Sequence, residues 1–107
     1  MTKISSDLIR GHIDTIILKL LQGGDKYGYD ISKSISSASG GKYELNEATM
    51  YSSLKRLEQN SHVESYWGDE SMGGRRKYYR ITGQGKKTYT ESKKNWEFAK
   101  QIIDKLI

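Results

Sequence analysis

Residues 45–82 constrain the fold more than any other part of the chain, because they set a cleanly started helix directly before a β-hairpin. The helix opens at Asn46, whose side-chain oxygen can accept from a free backbone N–H of the first turn. Met50, Leu54 and Leu57 recur at helical spacing and give one apolar face. The other face carries Glu47, Ala48, Tyr51, Ser52 and Lys55, small and polar at its leading end. Two aromatic strands are expected next, over 63–67 and 77–81, with Tyr66, Trp67, Tyr78 and Tyr79 providing cross-strand packing. The connection over 68–74 is too long for a two-residue turn, so its tip is expected to be mobile. Arg75, Arg76 and Lys77 stand at its return. A polar helix face beside a basic hairpin suits a winged helix-turn-helix, with the helix in the major groove and the wing along the phosphates.

The rest of the chain fits around that pair. Residues 6–22 read as a first helix, capped by Ser5 or Ser6, with Asp7 at the positive end of its dipole. Leu8, Ile9, Ile13, Ile16, Ile17, Leu20 and Leu21 form a stripe wide enough for burial on more than one side. Gly23-Gly24 ends it. Asp25 is the expected cap of a second helix over 26–39, with Tyr27, Ile31 and Ile35 on one face. Gly28 inside that helix costs about 1 kcal/mol relative to Ala, which close packing against a helix or a DNA backbone would offset. Gly40-Gly41 closes this helix, and residues 42–45 lead, extended, into the third.

Thr82 is the expected cap of a last helix over 86–107, with Gly83 and Gly85 weakening its first turn. Tyr89, Ser92, Trp96, Ala99, Ile103 and Leu106 alternate spacings of three and four, a heptad-like seam that needs a partner. The first helix, Leu8 included, is the other candidate for that interface. The expected class is mainly α with a small β-hairpin: a winged helix-turn-helix over 1–84 and a dimerisation helix over 85–107.

A chain of 107 residues is one domain by default, and its small core favours pairing with a second copy. The 18 Lys and Arg against 13 Asp and Glu give a formal charge of +5, which permits nucleic-acid binding. Placement says more: residues 75–90 hold Arg75, Arg76, Lys77, Arg80, Lys86 and Lys87 and no acid. Without cysteine there is no disulfide or thiolate metal site. No apolar run approaches the roughly 20 residues of a membrane span, and the N-terminus lacks a signal-peptide core; a cytoplasmic protein without membrane contact is expected.

Enzymatic chemistry finds little support. His12 and His62 lack neighbours at metal-ligand spacing. Asp69-Glu70 sits in a loop without the burial that shifts a pKa, and no Ser-His-Asp pattern or nucleophile elbow occurs. No metal, cofactor or catalytic residue is expected. Trp96 reads in two ways. It is a packed aromatic on the seam, or, with Ser92, Lys93 and Lys100 around it, a stacking platform for a planar ligand in a partly open interface.

Three runs resemble the PadR family of transcriptional regulators: Tyr27-Gly28-Tyr29-Asp30-Ile31, then Leu45-Asn46-Glu47-Ala48-Thr49-Met50-Tyr51, then Gly74-Arg75-Arg76-Lys77-Tyr78-Tyr79-Arg80-Ile81-Thr82. The likeness covers about residues 8–103 and is strongest to the small multidrug-sensing subgroup with one C-terminal helix. It implies a homodimeric repressor on a pseudo-palindromic operator, responsive to a small molecule and controlling a transporter or detoxification gene. The DNA-contacting set it implies is Tyr27, Lys33, Glu47, Ala48, Thr49, Tyr51, Ser52, Lys55, Gly74, Arg75, Arg76 and Lys77. The subgroup binds its ligand in a pore between paired tryptophans. Trp96 would be the stacking residue, with Ser92, Lys93, Lys100, Thr15 and Lys19 facing the same region, a basic setting for a planar cation. The competing expectation is a small-molecule sensor or scaffold without sequence-specific DNA binding.

Overall fold

The structure is a computed structural model and describes residues 2–68 and 75–107. In chain order it contains α1 (Ser6–Ile9), a 3-10 turn (Arg10–His12), α2 (Ile13–Leu21), β1 (Lys26–Tyr27), α3 (Gly28–Ala38), α4 (Glu47–Gln59), β2 (Val63–Trp67), β3 (Lys77–Ile81) and α5 (Gly83–Leu106). The expected class holds: the chain is mainly helical, with one small antiparallel sheet.

The first helix is not continuous over 6–22. Ser5 caps α1 by accepting from the Asp7 amide at 3.2 Å, but the chain tightens into a 3-10 turn around Gly11 before α2 begins. Glycine there makes a regular α-turn costly, and the break separates exposed Leu8 from core residue Ile13. The second helix starts later than expected. Lys26 and Tyr27 form β1, which pairs with β3 in the registers Lys26↔Tyr79 and Tyr27↔Tyr78. The wing is therefore a three-stranded sheet in the order β1-β3-β2. Asp25 does not cap α3; its carboxylate accepts from the Tyr66 hydroxyl at 2.5 Å.

The core joins Ile13, Ile17, Leu18 and Leu21 of α2 to Ile31 and Ile35 of α3. Met50, Leu54 and Leu57 of α4, with Leu45, Val63 and Tyr79, complete it. A polar tie runs through this packing. The Ser53 hydroxyl, 1% exposed, donates to Asp14 of α2, and Arg56 grips the same carboxylate through Nε at 2.9 Å and Nη2 at 2.5 Å. Burial acts to raise the Asp14 pKa, but the hydrogen bonds from Arg56 and Ser53, with the Arg56 charge, outweigh it and hold the carboxyl below its ordinary value. The tie fixes the roll and height of α4 against α2.

Helix α4 ends in a Schellman motif. Ser61 adopts φ 62°, the His62 amide donates to the Leu57 carbonyl at 2.8 Å, and the Ser61 amide donates to Glu58 at 3.0 Å. Thr82 caps α5 as expected, its Oγ1 accepting from the Gly85 amide at 3.0 Å, and that hydroxyl also donates to the Ser61 carbonyl at 2.7 Å. The helix starts at Gly83 rather than at residue 86. Gly85 is buried and is not a weak point: a Cβ there would strike the His62 carbonyl oxygen, with Ile81 Cγ1 at 2.8 Å. Its absence lets α5 seat on the α4–β2 turn. Beyond Trp96, α5 projects from the domain with Phe98, Ile102, Ile103 and Leu106 exposed.

Candidate nucleic-acid interface and the apolar groove

Helix α4 presents the expected face. Asn46 Oδ1 accepts from the Thr49 amide at 2.9 Å and fixes the first turn. With Met50, Ser53, Leu54 and Leu57 turned into the core, Glu47, Ala48, Thr49, Tyr51, Ser52 and Lys55 remain exposed. These residues share one side because the apolar positions repeat at helical spacing and pull the opposite face inward.

Two contacts join this face to its neighbours. The first is Gly28, at the start of α3. A Cβ on it would meet the Tyr51 hydroxyl, with Tyr51 Cζ at 2.9 Å and Met50 Cε at 3.0 Å. The glycine thus serves helix-on-helix packing, one of the two uses expected for it, and lets the Tyr51 ring lie between α3 and α4. Burial, and then Tyr51 and Glu58, raise the pKa of the neighbouring core residue Tyr79. The second contact is Arg76, whose guanidinium sits 4.8 Å from the Tyr27 ring. It bridges the wing's return to the strand that opens α3.

The outer face of the sheet carries an aromatic ladder along the strand registers. Tyr27, Tyr78 and Tyr66 stand opposite one another across β1, β3 and β2, with ring centroids 5.5 and 5.7 Å apart. Arg80 lies 5.0 Å over Tyr66, and Asp25 raises the Tyr66 pKa chiefly by accepting its hydroxyl hydrogen bond. The ladder stiffens the base of the wing, so Arg75, Arg76 and Lys77 leave it from a fixed platform. Arg75 and Lys77 are exposed, over the Trp67 and Tyr79 rings at 5.3 and 5.9 Å. Lys33 is exposed on α3 with its ammonium 5.9 Å from the ring of Tyr29. The sequence reading missed Tyr29, though it is 63% exposed and its ring stacks on Tyr27 at 6.3 Å; two aromatics flanking a glycine were the available signal. Gly74, expected at the interface, and Asp69-Glu70 lie outside the described residues, as does most of the connection whose tip was expected to be mobile.

A second feature lies across the molecule. α1, α2 and the start of α3's closing turn face α5 over a groove of about 560 Å³. Of the expected ligand residues, Trp96, Lys93, Thr15 and Lys19 line it. Ser92 and Lys100, one turn to either side of Trp96 on α5, are not among the residues that line it. Trp96 is 43% exposed and meets the edge of the His12 ring at a centroid distance of 4.7 Å. His12, unassigned by the sequence reading, thus becomes part of the groove. Of the expected dimer residues, Leu8, Trp96, Ile103 and Leu106 are exposed, while Tyr89 and Ala99 are partly covered. Phe98 and Ile102 widen the free apolar face beyond the seam read from the sequence.

No group of side chains able to hold a metal ion occurs among the described residues. No helix among them is long and apolar enough to cross a membrane.

Comparison with known proteins agrees with this geometry. The pattern of the transcriptional regulator PadR-like family matches residues 17–91. A solved structure of a transcriptional regulator from Clostridium thermocellum is 49% identical, with a TM-score of 0.90 over 97% of this chain and 98% of that one. A PadR family transcription regulator from hypervirulent Clostridium difficile is 38% identical, with a TM-score of 0.75 over 89% of this chain and 97% of its own. An uncharacterised protein of Lysinibacillus sphaericus is 48% identical over 101 residues, which cover 94% of this chain and 93% of that protein.

Proposed function

Since the chain belongs to the PadR-like family of transcriptional regulators, a family of DNA-binding proteins rather than enzymes, we propose that it is a homodimeric, ligand-responsive repressor acting in the cytoplasm. The observation that carries this reading is the continuous exposed face built from α3, α4 and the wing, joined through Gly28–Tyr51 and Tyr27–Arg76. Thr49, Tyr51 and Ser52 read base edges in the major groove. Glu47, Ala48 and Lys55 border that contact. Tyr27, Lys33, Arg75, Arg76 and Lys77 meet phosphates, and Gly74, next to Arg75 in the chain, joins that contact.

The winged domain over 1–84 and the pairing helix over 85–107 divide the work. Exposed Phe98, Ile102, Ile103 and Leu106 form the seam with a second copy, with Leu8 beside it. Pairing sets the separation of the two α4 helices, which must be about 34 Å to enter successive major grooves on one side of the duplex. A ligand beside Trp96 relieves repression if it favours a dimer geometry with a different separation. Trp96 and the run from Ser65 to Ser71 resemble those of the multidrug-sensing repressor LmrR, which supports placing a transporter or detoxification gene under this protein's control.

The test is a shift assay across a salt series with a pseudo-palindromic duplex and its scrambled counterpart. The repressor reading expects tight binding to the palindrome alone, with affinity falling steeply as salt rises. Equal binding to both duplexes, or to neither, would support a sensor or scaffold without sequence-specific DNA recognition. Sedimentation of the free protein should give a dimer.

A further inference from the structure

The position of Trp67 on its strand tells which way its ring points. Alternation along β2 puts Val63, Ser65 and Trp67 on one face. Val63 belongs to the core, and the Ser65 hydroxyl donates to Glu58 of α4 at 2.5 Å. That face is therefore the one α4 covers. Trp67 continues it past the core, with 57% of its surface exposed. Tyr66, Tyr78 and Tyr27 form their ladder on the opposite face.

The two arginines at the wing's return divide between these faces. Arg76 lies 4.8 Å from the Tyr27 ring, on the ladder side. Arg75 lies 5.3 Å from the Trp67 ring, on the side of the recognition helix. Between the two stacks the Gly68 amide donates to the Arg76 carbonyl at 2.7 Å and closes the hairpin. A Cβ on Gly68 would strike Tyr78 Cε1, with Cδ1 at 2.8 Å, so glycine lets this last rung seat on the ladder. Lys77, the cross-strand partner of Trp67, reaches instead to the Tyr79 ring.

An arginine at the end of a hairpin has many rotamers, and ordering them at the moment of binding costs affinity. A guanidinium held over an indole face is attracted by the ring's quadrupole and still has N–H groups to offer a phosphate. We propose that Trp67 is a positioning residue for DNA binding. It holds Arg75 on the α4 side of the wing, against the phosphates that border the groove α4 enters. Trp67 acts through Arg75 and not through a DNA contact of its own. The role rests on the DNA-binding reading above.

The test is a double-mutant cycle on the full chain. Phosphate contacts carry no sequence information, so the probe is a duplex of arbitrary sequence at low salt and no operator is needed. Trp67→Leu should weaken binding about three- to tenfold, with the salt slope unchanged because Arg75 still reaches its phosphate. Arg75→Ala should weaken binding and lower the slope by about one unit. Adding Trp67→Leu to Arg75→Ala should have no further effect, whereas adding it to Arg76→Ala should cost its full factor. Trp67→Tyr should restore most of the affinity, and thermal melting should show the variants folded. The stack is also read without DNA: in the NMR spectrum of the free protein the Arg75 side-chain protons should be shifted upfield by the indole. That wild-type spectrum decides the stack whatever the stability of the variants. Unshifted Arg75 protons, a Trp67→Leu variant that binds like wild type, or losses from Trp67→Leu and Arg75→Ala that simply add would overturn the inference and leave DNA binding standing. A wild-type protein that binds no duplex overturns the DNA-binding reading and this inference with it.

Discussion

Replacing Asp14 with Ala should loosen the recognition helix from the domain that aims it. The carboxylate is the acceptor for the buried Ser53 hydroxyl and for both arms of Arg56. A buried hydroxyl left without a partner costs about 1–3 kcal/mol. Arg56, with 55% of its side chain exposed, returns to water when released, and its pairing adds no more than about 1 kcal/mol. The expected loss is about 2–3 kcal/mol, or roughly 10–20 °C in Tm for a chain of this size. Urea titration at a fixed protomer concentration measures it. Repeating the titration across pH checks the sign. Burial acts to raise the Asp14 pKa, yet the hydrogen bonds and charge of its partners bring the net value below the ordinary one. Its contribution is therefore fully present above the unfolded value of about 3.9 and is lost as pH falls through the lower, folded value. The gap between wild type and Asp14→Ala should be constant near neutrality and narrow in acid. A loss below about 0.5 kcal/mol at pH 7, within the range of ordinary surface changes, or a gap that widens in acid, would refute the reasoning.

Gly85→Ala should destabilise despite alanine's better helix propensity, by about 1–3 kcal/mol as for other overpacked sites, because its Cβ meets the His62 carbonyl; thermal melting decides. Gly28→Ala should displace the Tyr51 ring and weaken specific DNA binding more than non-specific binding, read by titrating matched and scrambled duplexes. Replacing Arg75 and Arg76 with Ala should lower affinity for every sequence and reduce the salt slope by about one unit per lost phosphate contact. Trp96→Ala should cost well under the roughly 3–5 kcal/mol of a core aromatic, since Trp96 is 43% exposed, while abolishing binding of planar aromatic compounds in calorimetry.

Strong periodicity made much of this fold legible in advance. Asn46 and the Met50–Leu54–Leu57 spacing placed α4, and the aromatic runs placed β2 and β3 to the residue. β1 escaped the reading because a two-residue strand has no periodicity of its own; it exists through its pairing with β3. The break at Arg10–His12 was hidden by the apolar stripe that runs on either side of Gly11. Asp14 gave one signal, an acid inside that stripe, but its partners are 39 and 42 residues away, beyond local inference. Gly85 read as a helix weakener because propensity cannot register a carbonyl approaching from another element. In the groove, helical phase brought Thr15, Lys19, Lys93 and Trp96 together as expected. Ser92 and Lys100, one turn before and after Trp96, share its side of the helix but not the groove, because phase fixes a face and not where along the helix a cleft ends.

The central claim is that α4 and the wing read DNA as a symmetric pair. Selection of bound sequences from a random duplex pool, using the full-length protein, tests it most directly. The account predicts enrichment of an inverted repeat whose half-site centres lie about one helical turn, or about 10 base pairs, apart, with enrichment lost in Tyr51→Ala. A pool that stays random, or one that converges on a single unrepeated half-site, would contradict it.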